Sequence, residues 1–519
     1  MKYRLGIDVG GTNTDAVILD SQDNVIATCK ETTTEDVSTG IRKAVAAVLA
    51  GSGVDPAHIA DAMLGTTHAT NAIVQRRGLS RVGVLRLSAP SGYSIPPFID
   101  WPDDIREALG ATYRIVRGGY EYNGALISQI DRTEIEEALR SLADDGIESL
   151  AVSCVFSPVN AEQEAEVQEI AASVLGPELP VTLSHEIGSI GIIERENAAI
   201  LNAAIRRLAE EAYGSFENVL AEHGISADLF ITQNDGTLMA IDYAKRYPVL
   251  TIASGPTNSL RGAAHLSGVQ NAIVIDVGGT TTDVGVLKDG FPRESGAAVE
   301  IGGVRTNFRM PDLISIGLGG GSIVRDGDGG VRIGPDSVGF RIREEALVFG
   351  GDALTATDVA VAAGMADLGQ AAAVTGIDQA RVEGAVARVR AMVEEVIDKM
   401  KTVAGDTPVV VVGGGSIIVP DSLTGASTVS KPQHFEVANA IGAAIAQISG
   451  GIDGVFDVAG KGRDAVVAEV KEAAVQEAVR AGAAEGTVEI VELEEIPLAY
   501  LPSNAVRFRV KAVGDLARS

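Results

Sequence analysis

The sequence has few cysteines, few aromatic residues and few basic residues for its length of 519. Its two cysteines, Cys29 and Cys154, form no CxxC pair, which excludes a disulfide framework and a thiolate metal site. Aromatic residues make up 4% of the chain, so we expect an aliphatic core. Lysine and arginine number 42 against 70 aspartates and glutamates, a net charge of −28. An acidic surface repels phosphate backbones, so no nucleic-acid partner is expected.

Long hydrophobic runs are also missing. No stretch reaches the roughly 18 apolar residues of a membrane-spanning helix, and the opening MKYRLGIDVGG has no apolar signal-peptide core. We therefore expect a cytoplasmic protein without a membrane partner. The P-loop pattern GxxxxGK[ST] is absent, and no paired histidines have the spacing of a zinc site.

A repeated nine-residue segment is the most informative feature that is present. Residues 7–15 read IDVGGTNTD and residues 275–283 read IDVGGTTTD, identical at eight of nine positions. Each copy joins two short apolar runs, which predicts a β-hairpin. Because the copies are 268 residues apart, two large related halves fit better than a solenoid.

The residue types of the repeat suit phosphate and metal binding. Glycines let backbone N–H groups approach an anion, threonines add hydroxyl donors, and the first aspartate of each copy places a carboxylate where Mg²⁺ would bind. One copy alone would also fit a plain hairpin turn, and the duplication favours binding. The expected metal ligands are Asp8 and Asp276. The expected nucleotide-binding residues of the two copies are Gly10, Gly11, Thr12, Asn13, Gly278, Gly279, Thr280 and Thr281.

Two further glycine-rich segments follow the second copy. Residues 408–420 read as an apolar strand that contains Gly413, Gly414, Gly415 and Ser416, a pattern typical of a nucleoside-binding loop or of a strand-to-helix turn. Gly319 and Gly320 belong to the second segment, 317–322, which we expect to turn close to the nucleotide.

Strand-like runs alternate with stretches of helical periodicity along the chain, which predicts an α/β protein. The expected helices include 131–144, 192–220 and 463–481. The run Glu194-Arg195-Glu196 is interpreted as a solvated helical face, with the lining of a cleft as the alternative.

Two DxGGT hairpins, a GGGS…P loop and a small-residue helix at Glu436–Ala444, in this order, resemble the ATPase superfamily of actin, heat-shock-70 proteins and sugar kinases. The resemblance implies ATP and Mg²⁺ as ligands and a two-lobed, actin-like α/β fold with duplicated ribonuclease H-like lobes. With the pattern of elements, it predicts four parts: a first lobe at 1–195, a second lobe with the nucleotide motifs at 196–435, a connecting helix returning to the first lobe at 436–460, and a small C-terminal α+β unit at 461–519.

A narrower resemblance rests on five longer segments. They are LGTTHATNAIVQRRG (64–78), SHEIGSIGIIERENAAILNAA (184–204), TQNDGTLM (232–239), LTIASGPTNSLRGA (250–263) and ISIGLGGGSI (314–323). Together these segments resemble the A-type, ATP-binding subunit of the hydantoinase/5-oxoprolinase family.

That family opens cyclic amides such as hydantoins, 5-oxoproline and related lactams with ATP, and relatives carboxylate ketones. The resemblance implies an ATP-dependent hydrolase subunit, a cyclic amidase, that phosphorylates the substrate oxygen while a B-type partner subunit completes the hydrolysis. Two alternatives stay open: an ATP-dependent ketone carboxylase subunit, and a non-catalytic ATP-driven regulatory switch.

Phosphorylation of a ring-amide oxygen would make its carbon open to attack by water, and such a transfer depends chiefly on positioning and charge neutralisation. The expected catalytic carboxylates are Asp8, Asp276, Asp283 and Asp15. Asp283, Asp15 and Asp235 are candidates for taking the amide proton. Thr66, Thr67, His68, Asn71, Asn234 and Asp235 are the expected substrate-binding residues. Local capping is the alternative for the threonines and asparagines.

Overall fold

The computed structural model describes residues 2–32, 37–295, 299–307, 309–327, 330–498 and 505–517. The strands are β1 (Tyr3–Val9), β2 (Asn13–Leu19), β3 (Val25–Thr32), β4 (Ile59–Thr66), β5 (Val82–Ala89), β6 (Thr112–Arg117), β7 (Ser149–Cys154), β8 (Val181–Leu183), β9 (Asp228–Thr232), β10 (Leu238–Ala240), β11 (Ala272–Val277), β12 (Thr282–Lys288), β13 (Phe291–Pro292), β14 (Val299–Ile301), β15 (Val304–Thr306), β16 (Leu313–Ile316), β17 (Ser322–Gly327), β18 (Gly330–Ser337), β19 (Thr407–Val412), β20 (Ala426–Ser430), β21 (Ile448–Asp457), β22 (Glu489–Pro497) and β23 (Ala505–Gly514).

The α-helices of the described residues are α1 (Val37–Ser52), α2 (His68–Gln75), α3 (Asp103–Leu109), α4 (Arg132–Asp144), α5 (Glu162–Leu175), α6 (Ile192–Glu222), α7 (Ile241–Arg246), α8 (Ser254–Ser267), α9 (Ile342–Glu345), α10 (Ala356–Ala362), α11 (Gln379–Met400), α12 (Ala438–Ile445), α13 (Val458–Lys461) and α14 (Arg463–Arg480). Strands and helices alternate over most of the chain, which confirms the expected α/β class.

Each copy of the repeat forms a β-hairpin within its own sheet. In the first, β1 pairs with β2 so that Asp8 lies opposite Asp15. In the second, β11 pairs with β12 so that Asp276 lies opposite Asp283. The first hairpin belongs to a nine-stranded sheet of order β22-β23-β21-β10-β9-β4-β1-β2-β3, and the second belongs to a sheet containing β13-β12-β11-β19-β20 with β16 against β12.

A third sheet is inserted in the chain between β4 and β9. Its four parallel strands have the order β6-β5-β7-β8. The long helix α6 packs the first half of its buried face against this sheet, through residues 198–205, and the second half against the nine-stranded sheet, through residues 209–220. One helix therefore fixes the inserted sheet to the first lobe.

The start of α6 corrects the expectation for Glu194-Arg195-Glu196. Arg195 and Glu196 are each 1% exposed, so these two residues do not form a solvated face. Glu196 accepts hydrogen bonds from Arg86 of β5, with Nε at 2.7 Å, and from Ser153 of β7, whose Oγ lies at 2.5 Å. Because a buried charge requires a partner, the charged run is explained by the sheet beneath it.

Strand pairing also differs from the expected division of the chain. β9 and β10 pair within the first sheet, so the expected boundary between residues 195 and 196 does not separate the two lobes. Helix α12 ends at Ile445 and β21 follows, so the connecting helix is shorter than 436–460. β22 and β23 extend the first sheet through β21, so residues 461–519 contain strands of that lobe. The local sequence pattern of a strand does not indicate which distant strand it pairs with.

The core is aliphatic, as the composition predicts. The buried cluster of the second lobe consists of valine, isoleucine, leucine, alanine and methionine from β11, β12, β19, α10 and α11. The apolar stretch 408–420 is a strand only as far as Val412, because Gly413 has φ of +86° and turns the chain.

Candidate functional site

The two repeat turns have the same backbone geometry. The Gly10 N–H donates to the Asn13 carbonyl at 2.9 Å, and the Gly278 N–H donates to the Thr281 carbonyl at 2.9 Å. A β-carbon placed on Gly279 would lie 3.3 Å from Oγ1 of Thr12. The turns, 268 residues apart in the sequence, therefore lie against each other across the two lobes.

Two glycine-rich loops pack against the second turn. The Gly320 and Gly321 N–H groups donate to the carbonyls of Gly278 and Gly279 at 3.0 and 2.8 Å. A β-carbon on Gly319 would lie 2.6 Å from the nitrogen of Thr280, so a side chain has no room there. This loop is held against the turn by its backbone.

The loop 413–416 approaches the second turn from β19. The Gly415 N–H donates to the Val277 carbonyl at 2.7 Å, and a β-carbon on Gly413 would lie 2.2 Å from Oδ1 of Asp276. Gly414 lies beside Lys30 of the first lobe, since its β-carbon would stand 3.4 Å from Cε of that lysine. Ser416 Oγ is buried without a hydrogen-bond partner among the described residues, as expected of a group that awaits a polar ligand.

Asp8 is 3% exposed and receives an amide donor on each oxygen. Asn258 Nδ2 donates to Oδ1 at 3.0 Å, and Asn439 Nδ2 donates to Oδ2 at 2.9 Å. Burial raises the pKa of Asp8 to about 6, and the charge of Asp15 adds to the rise, against the lowering effect of the two amides. The carboxylate is thus fixed in place by neutral donors.

Burial raises the pKa of Asp276 to about 7, and the charges of Asp283 and Asp8 act in the same direction. The Ser259 hydroxyl beside Asp276 opposes this rise and lowers the pKa of that carboxyl. The two first aspartates of the repeats therefore influence each other electrostatically, although they come from different lobes. A cation between them would relieve this repulsion.

The second aspartates of the repeats have different partners. Asp15 forms a salt bridge with Lys30 of β3, whose Nζ lies 2.6 Å from Oδ1 and also donates to the Glu436 carbonyl at 2.8 Å. Asp283 accepts a hydrogen bond from Ser315 of β16. Burial raises the pKa of both carboxyls, with Lys30 opposing the rise at Asp15.

The expected substrate-binding residues of segment 64–78 lie beside the first repeat turn. Thr67 donates through its backbone N–H and its hydroxyl to the Val9 carbonyl, at 3.3 Å each. The Thr66 hydroxyl accepts from the His68 N–H at 3.1 Å, and Asn71 Nδ2 donates to Thr67 Oγ1 at 3.3 Å. Burial lowers the pKa of His68, whose ring faces α6 in a small cavity next to Tyr213. These contacts are those of local capping.

Asn234 and Asp235 follow β9, and their side-chain contacts are with residues outside the two repeat turns. Asn234 Nδ2 donates to the Arg309 carbonyl at 2.6 Å. Asp235 forms a salt bridge of 2.9 Å with Lys511 of β23. Burial raises the pKa of Asp235, but the Lys511 charge and the Thr237 hydrogen bond outweigh it and hold the pKa below its ordinary value. Asp235 therefore joins the lobe to its C-terminal strand β23, and Asn234 holds the backbone at residue 309.

Several residues around the turns were missed by the sequence reasoning. Lys30 stands opposite Asp15 in the β2–β3 register, which is a signal that pairing the hairpin with the following strand would have revealed. Asn258 and Ser259 belong to the segment LTIASGPTNSLRGA, and Asn439 to the small-residue helix, but neither segment carries a local sign of contact with Asp8 or Asp276.

The donor set suits magnesium better than zinc. Among the described residues no group of three or more His, Cys, Asp or Glu side chains could hold a metal ion. Mg²⁺ needs one or two protein carboxylates and completes its shell with water and phosphate oxygens. Asp8 and Asp276, with the glycine turns beside them, fit that requirement.

The fold and the facing turns define a two-lobed α/β protein of the actin-like type. The sequence model of the hydantoinase/oxoprolinase N-terminal region matches residues 4–175, and that of the hydantoinase/oxoprolinase region matches residues 195–404. The chain belongs to the hydantoinase/oxoprolinase family.

Two relatives are 29% and 28% identical to this chain over aligned stretches of 390 and 392 residues. The gamma subunit of acetophenone carboxylase from Aromatoleum aromaticum is 29% identical over 69% of this chain and 53% of its own length. The alpha subunit of caprolactamase from Pseudomonas jessenii is 28% identical over 70% of this chain and 54% of its own length. This chain thus spans about half the length of the curated relatives it matches.

Solved structures show the same fold. The ATP-dependent caprolactamase of Pseudomonas jessenii superposes with a TM-score of 0.74 at 20% identity, and nucleotide-free acetone carboxylase with 0.70 at 18%. Each superposition covers 99% of this chain and 88% of the other chain. None of the helices in the described ranges has the length and apolar character required to cross a membrane.

Proposed function

We propose that this chain is the ATP-binding subunit of an enzyme that phosphorylates and opens a cyclic amide, such as a hydantoin, 5-oxoproline or a related lactam. The observation that carries the proposal is the contact between the two Asp-Val-Gly-Gly-Thr turns, one from each lobe. Family membership supports it, and so does the similarity to an ATP-dependent caprolactamase.

In this proposal the turns hold magnesium-ATP. The backbone N–H groups of the paired glycines and the hydroxyls of Thr12 and Thr280 bind phosphate oxygens, Asp8 and Asp276 hold the metal, and the unpartnered Ser416 hydroxyl bonds the nucleoside. When bound, magnesium-ATP supplies the phosphoryl group that activates the amide oxygen. In this arrangement the turns position the phosphates of the nucleotide, and the charge of the phosphates is neutralised by the metal. Positioning and charge neutralisation are the main requirements of phosphoryl transfer.

Asp283 is the better candidate for taking the amide proton. Burial raises the pKa of Asp283 and of Asp15 alike, but the partner of Asp283 is a neutral hydroxyl, that of Ser315. Asp15 is neutralised by the Lys30 ammonium, which lowers its affinity for a proton. We assign the proton-accepting role to Asp283 and a supporting role to the Asp15–Lys30 pair.

A ketone carboxylase subunit is the second candidate. The gamma subunit of acetophenone carboxylase and the beta subunit of acetone carboxylase, at 29% and 26% identity, favour it. Both candidates share activation of a carbonyl oxygen. The names of the relatives describe subunits, so in either case we propose a B-type partner subunit.

The test is a phosphate-release assay on the chain with and without a co-purified B-type partner. Hydantoin, 5-oxoproline and caprolactam are compared with acetone and acetophenone, the ketones being supplied with bicarbonate. A lactam labelled with ¹⁸O at its carbonyl should transfer the label into phosphate, because the phosphorylated oxygen leaves with the phosphate. Asp276→Asn serves as the inactive control.

The outcomes separate the candidates. Lactam-stimulated release with ¹⁸O in the phosphate supports the amidase, and ketone-stimulated release that requires bicarbonate supports the carboxylase. Stimulation by a protein alone would instead indicate a regulatory switch and contradict both enzymes. Full ring opening by the isolated chain would contradict the partner.

A further inference from the structure

Helix α8 lies between the lobes and connects them. Its first residue, Ser254, donates its hydroxyl to the Thr66 carbonyl at the end of β4 at 3.4 Å, and the helix leads directly into β11 of the second lobe. It also crosses α12, the helix that returns from the second lobe. Helix α8 therefore contacts both lobes. It is one of the two helices through which the chain passes between the lobes, and it packs against the other, α12.

The crossing of α8 and α12 leaves no space between the two backbones. A β-carbon on Gly262 would lie 1.9 Å from the Ala438 carbonyl oxygen, and one on Gly442 would lie 1.8 Å from the Asn258 carbonyl oxygen. The backbones of the two helices are therefore in direct contact at the crossing. The position of Asn258 is thus fixed by the crossing itself.

Two adjacent residues of α8 hold the first aspartates of the two repeats. Asn258, which is fully buried, donates to Asp8 of the first lobe at 3.0 Å. Ser259, which is 2% exposed, lies beside Asp276 of the second lobe, and its hydroxyl opposes the rise that burial causes in the pKa of that carboxyl. Aspartates 268 residues apart in the sequence are thus linked through neighbouring positions of one helix.

In this position Asn258 does not satisfy the hydrogen-bonding capacity of both its side-chain polar atoms. Its Nδ2 also donates to Thr232 Oγ1 at 3.1 Å, but its Oδ1 is buried without a hydrogen-bond partner in the described part of the chain. An unsatisfied buried acceptor destabilises the folded state. A residue kept at such a cost has a role in its donated hydrogen bond.

We infer that Asn258 and Ser259 are positioning residues that set the spacing of the Asp8 and Asp276 carboxylates, and so link metal binding to the relative placement of the two lobes. The inference rests on the proposed nucleotide site. Asn439, from the partner helix of the crossing, holds the second oxygen of Asp8 at 2.9 Å and completes the arrangement.

The test is calorimetry of ADP binding to the full chain, measured with Mg²⁺ and again with EDTA. For Ser259→Ala and Asn258→Ala we expect the affinity with Mg²⁺ to fall about tenfold or more, and the affinity in EDTA to change less than about twofold. Ser259→Thr, which keeps the hydroxyl, should restore most of the affinity. Thermal unfolding identifies any variant that fails to fold, in which case Ser259→Ala carries the test alone.

Ser267→Ala is the matched control, because Ser267 lies on the same helix and donates to the Ala263 carbonyl at 2.6 Å instead of a carboxylate. The inference is overturned if the affinities with and without Mg²⁺ fall in parallel, or if Ser267→Ala behaves like Ser259→Ala. Absence of any magnesium-dependent binding by the unchanged chain would refute the proposed function, and the inference with it. Magnesium-dependent binding by the unchanged chain together with unaffected variants would refute the inference alone.

Discussion

The two repeats have nearly identical sequences and the same hairpin register, but their carboxylates are supported in different ways. In the first repeat, Asp8 accepts two side-chain amides and Asp15 pairs with the Lys30 ammonium. In the second, the Ser259 hydroxyl opposes the burial-raised pKa of Asp276, Asp283 accepts from the Ser315 hydroxyl, and neither carboxylate has a salt bridge among the described residues.

The repeated motif determines the backbone conformation of the hairpin, whereas the surrounding residues determine the electrostatic environment of its carboxylates. The first repeat has its charge partly neutralised and its carboxylate held on both sides. The second is surrounded by glycine backbones of the loops 317–322 and 413–416, and its carboxylates retain more unbalanced charge. We therefore expect the second repeat to depend more on a bound cation.

The largest expected effect comes from the first aspartates. Asp276→Asn should lower ATP turnover by roughly 10²–10⁴-fold, since a metal ligand is lost, and leave the thermal midpoint almost unchanged because Ser259 can still donate to the new amide oxygen. Asp8→Asn should lower turnover and also stability, by about 1–3 kcal/mol, because its amide group would face the donor of Asn258 or Asn439. Steady-state turnover and urea unfolding measure both effects, and equal stability losses would contradict the comparison.

A smaller effect is expected at the second aspartates. Lys30→Met leaves Asp15 buried without its cation, and should lower the free energy of unfolding by about 1–3 kcal/mol. Ser315→Ala, the matched change beside Asp283, removes a neutral hydrogen bond and should cost about 0.5–1.5 kcal/mol. Urea unfolding at pH 7 gives both values. A larger loss for Ser315→Ala would show that the second repeat is the more tightly held one.

A separate effect is a pH dependence of the stability of the ligand-free chain. The pKa values of Asp8 and Asp276 are raised from 3.8 to about 6 and about 7, so the folded state binds more protons than the unfolded state in this range. The stability these groups contribute is complete below about pH 4 and is lost as the pH rises through about 7. The variant carrying Asp8→Asn and Asp276→Asn should show a flatter stability profile between these limits. Unchanged slopes would contradict the assigned burial effect.

Helix boundaries were largely predictable where a local signal exists. The helix expected at 131–144 is α4, Arg132–Asp144, because Asp131 caps it by accepting from the Thr133 and Glu134 N–H groups. The helix expected at 463–481 is α14, Arg463–Arg480. In both cases the apolar spacing and the residues at the ends are contained in the segment itself.

Strand partners and the support of the site were not predictable in the same way. Nothing local to β9 or β22 indicates that they join the sheet of β1, because pairing is decided by which apolar faces remain uncovered after the chain has folded. The contacts of Asn258 and Ser259 with the two aspartates depend on the crossing of α8 and α12. A single sequence shows the two side chains as ordinary polar residues of a helix.

The sequence by itself determined the two hairpins, the aliphatic α/β composition and the aspartates and glycines of the turns, because these depend on neighbouring residues. Only the tertiary structure decided that the turns meet, that Lys30 balances one of them, and that one helix links Asp8 with Asp276. The reason is that hydrogen bonds and charges act over a few ångströms, and only folding brings residues hundreds of positions apart within that range.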